Sequence, residues 1–410
     1  MYLYFPKKSY YSIFQTMKTY DIDADICRKN SGCTKYDAIA PFIPKGHEVI
    51  PLWIADMDFA TPPFVLDAIR KRLEHPVLGY SIPTDEYKNA VINWMKNQYN
   101  MEVSPEEFCY TPGIVSGIYK LLQFLTDKTD GVLICPPVYP PFSAVIRNAE
   151  RTLVEAPLKL ENNRFEVDFD LLDEKLKSAK VMIWCHPHNP GGRVWSQEEC
   201  AKVVKLCRKH NVMIICDEIH ADLTFTPKKH QPMVLSCPEA AQCVITLQAP
   251  SKAFNMPGVV GSQLIVLEPE LRQRLFPYLE NSGLQIGNSC AFPAIASAYN
   301  NGKEWLDDTL RYIQDNIAYV REFLSSQLPM LEMIEPEASF LIFINFKALN
   351  LSDEELNRFL LEDAGVMLNP GITFGTGGEG WMRLNIGTTR KRLKQAMEQI
   401  KRAVDKLLSK

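Results

Sequence analysis

The sequence predicts an α/β protein: a large domain with a mostly parallel sheet between helices, and a smaller α+β domain. Three observations predict it. From about residue 110 to 265, short apolar runs alternate with amphipathic stretches. After about residue 300 the rhythm changes to long helical stretches around two separated strand candidates. The length, 410 residues, exceeds one ordinary domain and suits one large and one small domain.

In the first region the runs GVLICPP, RTLVEAPL, KVMIWCHP, VMIICDE and CVITLQAP read as strands. Between them lie helix-period segments. Ile114, Ile118, Leu121, Leu122 and Leu125 share one helical face, and so do Cys200, Val203, Val204 and Cys207. Ser196 and Glu199 form a capping box ahead of the second of these. Strands separated by helices require crossover connections, hence a mostly parallel sheet covered on both faces. In the second region a long helical stretch (GKEWLDDTLRYIQDNIAYVREFLSSQ) leads to the strand ASFLIFINF. A capped helix follows (SDEELNRFLLEDAG), then the strand WMRLNIG and a charged terminal helix.

Composition narrows the function classes. A hydrophobic share of 46% and a charged share of 23% are ordinary for a globular protein. The formal charge of -4 gives no electrostatic case for nucleic acid or an anionic membrane. No apolar run is long enough to span a bilayer. The 11 cysteines are scattered without a C-x-x-C pair, so neither a disulfide framework nor a zinc ribbon is expected, and a cytoplasmic location is. Residues 1–16 lack the apolar core of a signal peptide and read as a non-catalytic extension ahead of Met17.

Polar residues collect where strands end, which is where open α/β sheets bind ligands. Asn189 follows KVMIWCHPH, Asp217 closes VMIIC, Lys252 follows CVITLQAPS, and Tyr139 follows GVLICPPV. Gly113, Ile114 and Val115 open a helix. Each meets one requirement of pyridoxal 5'-phosphate (PLP) chemistry. A lysine amine forms the Schiff base and then serves as base at Cα. An aspartate keeps the pyridine nitrogen protonated. Asn189 can donate to the phenolate oxygen, Tyr139 can stack on the ring, and amides at a helix start can hold the phosphate. Taken singly, each residue has a plainer reading: a surface lysine, a turn aspartate, a packing tyrosine.

At these residues the sequence resembles the class I/II aminotransferase superfamily: Asn189-Pro190-Gly191, Asp217-Glu218-Ile219-His220 and Ser251-Lys252-Ala253-Phe254-Asn255. More narrowly, it resembles the MalY/PatB-type cystathionine β-lyases (C–S lyases). The marks are Trp53 to Phe59 (W-I-A-D-M-D-F), Gly79-Tyr80, Pro187 to Trp195, Asp217 to Leu223, and S-K-x-F-N. The resemblance runs from about residue 20 to the end. It implies a fold-type I PLP transferase with a seven-stranded, mostly parallel sheet. Residues 17–60 would form the N-terminal part of the small domain, 61–296 the large domain and 297–410 the C-terminal small domain.

The resemblance also implies roles. Lys252 would be the Schiff-base lysine and catalytic base. Asp217 would pair with the pyridinium, Asn189 with the phenolate oxygen and the substrate carboxylate, and Tyr139 with the ring face. Ile114 and Val115 would offer amides to the phosphate. His220 and Ser251 would complete the cofactor pocket. Tyr80 would reach the phosphate of the other subunit, implying a homodimer with shared active sites. Arg383 would grip the α-carboxylate of a small amino-acid substrate as a bidentate fork, and Ala55 would line the substrate pocket.

Three departures stand out: His186 where asparagine is usual, Ala253 for threonine, and Cys33-Thr34-Lys35-Tyr36-Asp37 for S-x-K-W-D. None removes a catalytic group. Two further positions favour lyase over aminotransferase within the family pattern. His220 stands where many aminotransferases have tyrosine, and Val260 where many have a phosphate-binding arginine. The expected reaction is β-elimination from cystathionine, cysteine or related S-conjugates; transamination is the alternative. His186, His188 and His220 lack a spaced set of metal-ligand partners, so no metal is expected. The run Gly375 to Gly380 does not sit between a strand and a helix, and reads as a flexible loop feeding the Arg383 strand rather than a nucleotide loop. Cys185 and Cys216 lie within apolar runs, where inert cysteines are usual.

Overall fold

The computed structural model describes residues 20–43 and 48–409; the expected extension at 1–16 lies outside the described residues. Seven strands form the central sheet: β1 (Phe108–Thr111), β2 (Gly131–Ile134), β3 (Thr152–Glu155), β4 (Val181–Cys185), β5 (Met213–Asp217), β6 (Val244–Gln248) and β7 (Ser262–Ile265). Their order across the sheet is β1-β7-β6-β5-β4-β2-β3. Strand β7 runs antiparallel to both neighbours, and the other pairings are parallel. The chain steps one way from β2 to β3 and the other way from β4 through β6. The carboxyl ends of β2 and β4 therefore flank a topological switch point, where a crevice opens.

All five expected strands form. Strands β1 and β7 were hidden by polar residues that the core accommodates in pairs. Thr111, Ser262 and Gln263 are buried. Thr111 sits opposite Ser262, their hydroxyl oxygens 2.7 Å apart, and the Tyr299 hydroxyl donates to Gln263 Oε1 at 3.3 Å. Satisfied in this way, polar side chains cost the sheet little.

The helix Ile114–Leu125 buries Ile114, Ile118, Leu121 and Leu122, and Gln197–Lys209 buries Cys200, Val203, Val204 and Cys207 behind its capping box. A second sheet holds β8 (Glu332–Met333), β9 (Leu341–Asn345), β10 (Asn369–Pro370) and β11 (Trp381–Asn385), antiparallel in the order β8-β9-β11-β10. Arg383 lies mid-strand on β11, between Phe343 and Asn369. The loop Gly375–Gly380 precedes β11, and its Thr376 hydroxyl donates to Glu155 Oε2 at 3.2 Å.

The segment after Ile50–Pro51 belongs with this second sheet. Ile50–Pro51 pairs in parallel with Val366–Met367, and the Asn385 amide donates to the Leu52 carbonyl at 3.0 Å. Charge clamps the segment from below. Lys35, fully buried, reaches Asp58 Oδ1 at 3.1 Å, and Arg28 bridges Asp56 at 2.7 Å and Asp58 at 2.9 Å. Arg392 meets Asp58 at 3.1 Å, and Thr388 donates to it at 2.7 Å. These cations hold the Asp58 carboxylate below its ordinary range against the opposing effect of burial.

Asp58→Ala leaves the Lys35 ammonium buried without its nearest anion, a change worth about 3–5 kcal/mol. The expected outcome is a clearly lower urea unfolding midpoint; an unchanged midpoint would contradict a structural role for the clamp.

Candidate active site

The expected residues converge on one cavity of about 240 Å³ at the carboxyl ends of the central strands. Ala55, Ile114, Val115, Tyr139, Asn189, Asp217, His220, Ser251 and Lys252 all line it. Arg383 stands at its edge, joined to the lining through Asn189, whose Oδ1 accepts from Nη1 at 3.2 Å. Tyr80 is not brought to the cavity of its own chain. It is 96% exposed on the surface.

Each side chain is aimed by its element. Asp217 is the last residue of β5, and its Oδ1 accepts the Ile219 N–H at 3.0 Å, which closes a tight turn beneath it. Burial pushes this carboxyl up to about 7; the Ile219 N–H and the positive charge of Lys252 only partly oppose that. Lys252 is pushed down to about 8, first by burial and then by Arg383, with Asp56 and Asp217 pulling the other way. Its Nζ donates to the Ala55 carbonyl. His220 is pushed down to about 3 by burial and by the charges of Lys252 and Arg383. It is a neutral imidazole in this pocket.

Arg383 is buried and pushed down to about 10 by that burial. Nη2 donates to the Trp53 carbonyl at 2.8 Å, the guanidinium lies 5.0 Å from the Phe374 ring centre, and among the described residues Nε has no partner. No carboxylate pairs with it among the described residues. A buried guanidinium with unused donor capacity is a site for an incoming anion. At the opposite end, the helix Ile114–Leu125 starts at Gly113, whose φ of 91° is one that side-chain-bearing residues rarely adopt. Its first amides receive no side-chain cap, which leaves an anion site open at the helix start.

Sequence reading missed the part played by Asn255. The resemblance used it only as a motif mark. In the structure its Oδ1 accepts the Met57 N–H at 2.9 Å, and its Nδ2 donates to the carbonyls of Met57 at 3.0 Å and Phe59 at 2.6 Å. Asn385 donates to the carbonyls of Ile54 at 2.5 Å and Asp56 at 2.7 Å. The two asparagines hold the Ala55 carbonyl against Lys252. The spacing of Asn255 from Lys252 was the only available signal, because its partners lie about 200 residues away in sequence.

The donor set fits PLP. A buried carboxylate without a bonded cation faces the cavity where a protonated ring nitrogen would stand. A lysine amine of lowered basicity, a tyrosine ring and uncapped helix amides surround the same space. The chain also matches the family described as "Aminotransferase class I and II" over residues 47–400. The chain belongs to that family. It is 38% identical over 359 residues to cystathionine beta-lyase PatB of Bacillus subtilis, covering 87% of this chain and 93% of that protein. Among solved structures, a PLP-bound putative aminotransferase from Clostridium difficile superposes with a TM-score of 0.91 at 34% identity, covering 94% of this chain and 100% of that one. A PLP-bound C–S lyase from Staphylococcus hominis gives 0.88 at 32%, covering 94% and 98%. The family's fold accounts for the sheet order and for the placement of the cavity at the strand ends.

The Asp217 shift has a consequence for the cofactor-free protein. An aspartate titrates near 3.8 in the unfolded chain and near 7 in the cavity. The folded pKa is raised, so its contribution is fully present below about pH 4 and is lost as pH rises through about 7. The loss is on the order of 4 kcal/mol. Asp217→Asn removes this titration. The variant apoprotein is expected to unfold at a higher temperature than wild-type apoprotein at pH 8, with little difference at pH 4. A wild-type advantage at pH 8 would show that burial is not the dominant influence on this carboxyl.

Proposed function

We propose that this protein is a PLP-dependent C–S lyase that cleaves cystathionine and related cysteine S-conjugates to a thiol, pyruvate and ammonia. The observation that carries the proposal is the pairing of the Lys252–Asp217 cradle with Arg383, a buried guanidinium lacking a carboxylate partner across the same cavity. The similarity to PatB and to the Staphylococcus hominis C–S lyase supports it.

In this reading Lys252 carries the cofactor covalently, Asp217 holds its ring nitrogen, and Asn189 its phenolate oxygen. Tyr139 covers the ring face beside His220, and Ser251 joins the amides of Ile114 and Val115 at the phosphate. When bound, PLP supplies an electron sink for the pair released at the substrate Cα. Arg383 takes the α-carboxylate as a fork, which fixes the direction of the Cα–H bond. Freed once the substrate amine has taken its place on the cofactor, the Lys252 amine, shifted down to about 8, would be accessible as free base near neutral pH and would remove the Cα proton. The resulting ammonium rests on the Ala55 carbonyl, the acceptor it already uses. From there it returns a proton to the sulfur as the Cβ–S bond breaks and the bonding pair leaves with sulfur. One water then converts the released enamine to pyruvate and ammonia.

A homodimer with shared sites belongs to the same proposal. Tyr80 is exposed together with Val77, Leu78 and Ile82, an apolar stretch suited to a partner surface. The division into a large domain (61–296) and a small one (17–60 with 297–410) is part of the reading, with Arg383 on the small side and Lys252 on the large. Among the described residues no helix is long and apolar enough to cross a membrane.

Pure holoenzyme incubated with L-cystathionine and with L-cysteine should release pyruvate and thiol together. The Clostridium difficile neighbour carries the name of a putative aminotransferase, which makes transamination the rival. Steady amino transfer to a 2-oxo acid without pyruvate from either substrate would sink the lyase reading. Lys252→Ala should lose both the visible absorption of lysine-bound cofactor and turnover; a variant that keeps that absorption would reject the lysine assignment. Arg383→Lys should raise KM for cystathionine by about tenfold or more, because an ammonium cannot reproduce the planar fork. Steady-state pyruvate assays check this, and an unchanged KM would place the carboxylate elsewhere.

A further inference from the structure

Asp217 is followed by a second buried carboxylate that the mechanism does not use. Consecutive residues of an extended strand point to opposite faces, so Glu218 faces away from the cofactor cavity. It is 1% exposed. Its oxygens are met from four directions: His230 Nε2 at 2.8 Å, the Met233 N–H at 2.9 Å, Gln248 Nε2 at 3.0 Å and Cys216 Sγ at 3.4 Å. The Met233 amide, the Gln248 side chain and the Cys216 thiol donate, and the His230 ring nitrogen completes the set.

The cluster continues beyond Glu218. His186, where the resemblance expects asparagine, places its ring centre 4.3 Å from that of His230 and its Nε2 at 3.1 Å from the Gln231 carbonyl. The His186 N–H donates to the Asp217 carbonyl at 2.9 Å. Tyr99 packs edge-on against His230 at 5.5 Å, and both Tyr99 and Trp94 donate to Asp222. The turn Asp217–Asp222 is therefore pinned at its backbone by His186, at Glu218 by three elements, and at Asp222 by two aromatic donors.

We propose that Glu218 is a positioning residue for the pyridine-nitrogen site: anchored by His230, Gln248 and Met233, it fixes the turn that aims Asp217 into the cavity. Glu218 touches neither cofactor nor substrate, and its effect passes through Asp217. The inference rests on the cofactor reading above and not on which reaction follows.

The test measures cofactor binding rather than turnover. PLP is titrated into apoprotein and followed by tryptophan fluorescence and visible absorption. Glu218→Gln should weaken PLP binding by about tenfold or more, as loss of an outer-shell partner does for metal ligands. KM for substrate should stay unchanged, because Arg383 lies on the other sheet. Wild-type PLP affinity in a folded Glu218→Gln protein overturns the proposal, and so does a rise in KM that accounts for the whole effect. If Glu218→Gln does not fold, His230→Gln and Gln248→Leu decide. Each disturbs one partner and leaves Glu218. Weaker PLP binding in either supports the role, and wild-type affinity in both overturns it. A wild-type chain that bound no PLP would instead overturn the cofactor reading itself.

Discussion

The burial of the Asp217 carboxylate at the end of β5, with no cation bonded to it, governs the chemistry of everything around it. In a poorly solvated cavity an anion and two cations, Lys252 and Arg383, act on one another across distances that water would screen. Lys252 loses basicity to burial and to Arg383, and Asp217 restores only part of it. Arg383 is itself lowered by burial. The site is therefore strained in charge rather than in backbone. The ligands that relieve it are a cation beside Asp217 and a carboxylate beside Arg383. A protonated pyridine and an α-amino acid supply one each, which is why a single physical constraint points to both cofactor and substrate.

Holding such a cavity open demands rigid surroundings, and the segment Trp53–Phe59 provides them on the substrate side. Its carbonyls are claimed by Arg383, Asn385, Arg28 and Asn255. Its two aspartates are claimed by Arg28, Lys35 and Arg392. These partners come from the N-terminal segment, the central sheet's loops and the C-terminal sheet. The segment is thus a junction where separate parts of the chain meet at the Ala55 carbonyl. Proteins seldom bury a lysine as Lys35 is buried unless an anion lies beside it. Here that cost maintains the position of a backbone oxygen next to the Lys252 amine.

Much of this was legible in the sequence. Four of the strand runs, β2, β4, β5 and β6, were visible because strands buried on both faces read as continuous hydrophobic stretches, whereas the edge strand β3 is only partly buried. The helices at Ile114–Leu125 and Gln197–Lys209 were visible through their apolar faces and, for the second, a capping box. Strands β1 and β7 were not. Their cores contain Thr111, Ser262 and Gln263, and only the pairing between them shows that these polar groups are satisfied. The site residues at strand ends could be picked out through resemblance and through the strand-end rule, since both depend on short-range sequence order. Asn255, Lys35 and Glu218 could not, because their roles lie in partners distant along the chain.

The sequence by itself determined the order of β2 to β6 with the helices between them, the mostly parallel character of the sheet, and which residues stand at the carboxyl ends where a ligand can bind. These follow from local periodicity and the steric rules of chain connection. Only the tertiary structure decided the electrostatics. Among the described residues it placed Asp217 without a bonded cation and Arg383 without a carboxylate, left Tyr80 in solvent, and packed Glu218 among His230, Gln248 and Met233 behind the site. Burial and charge proximity are properties of neighbours in space, and a linear sequence carries them only after the chain has folded.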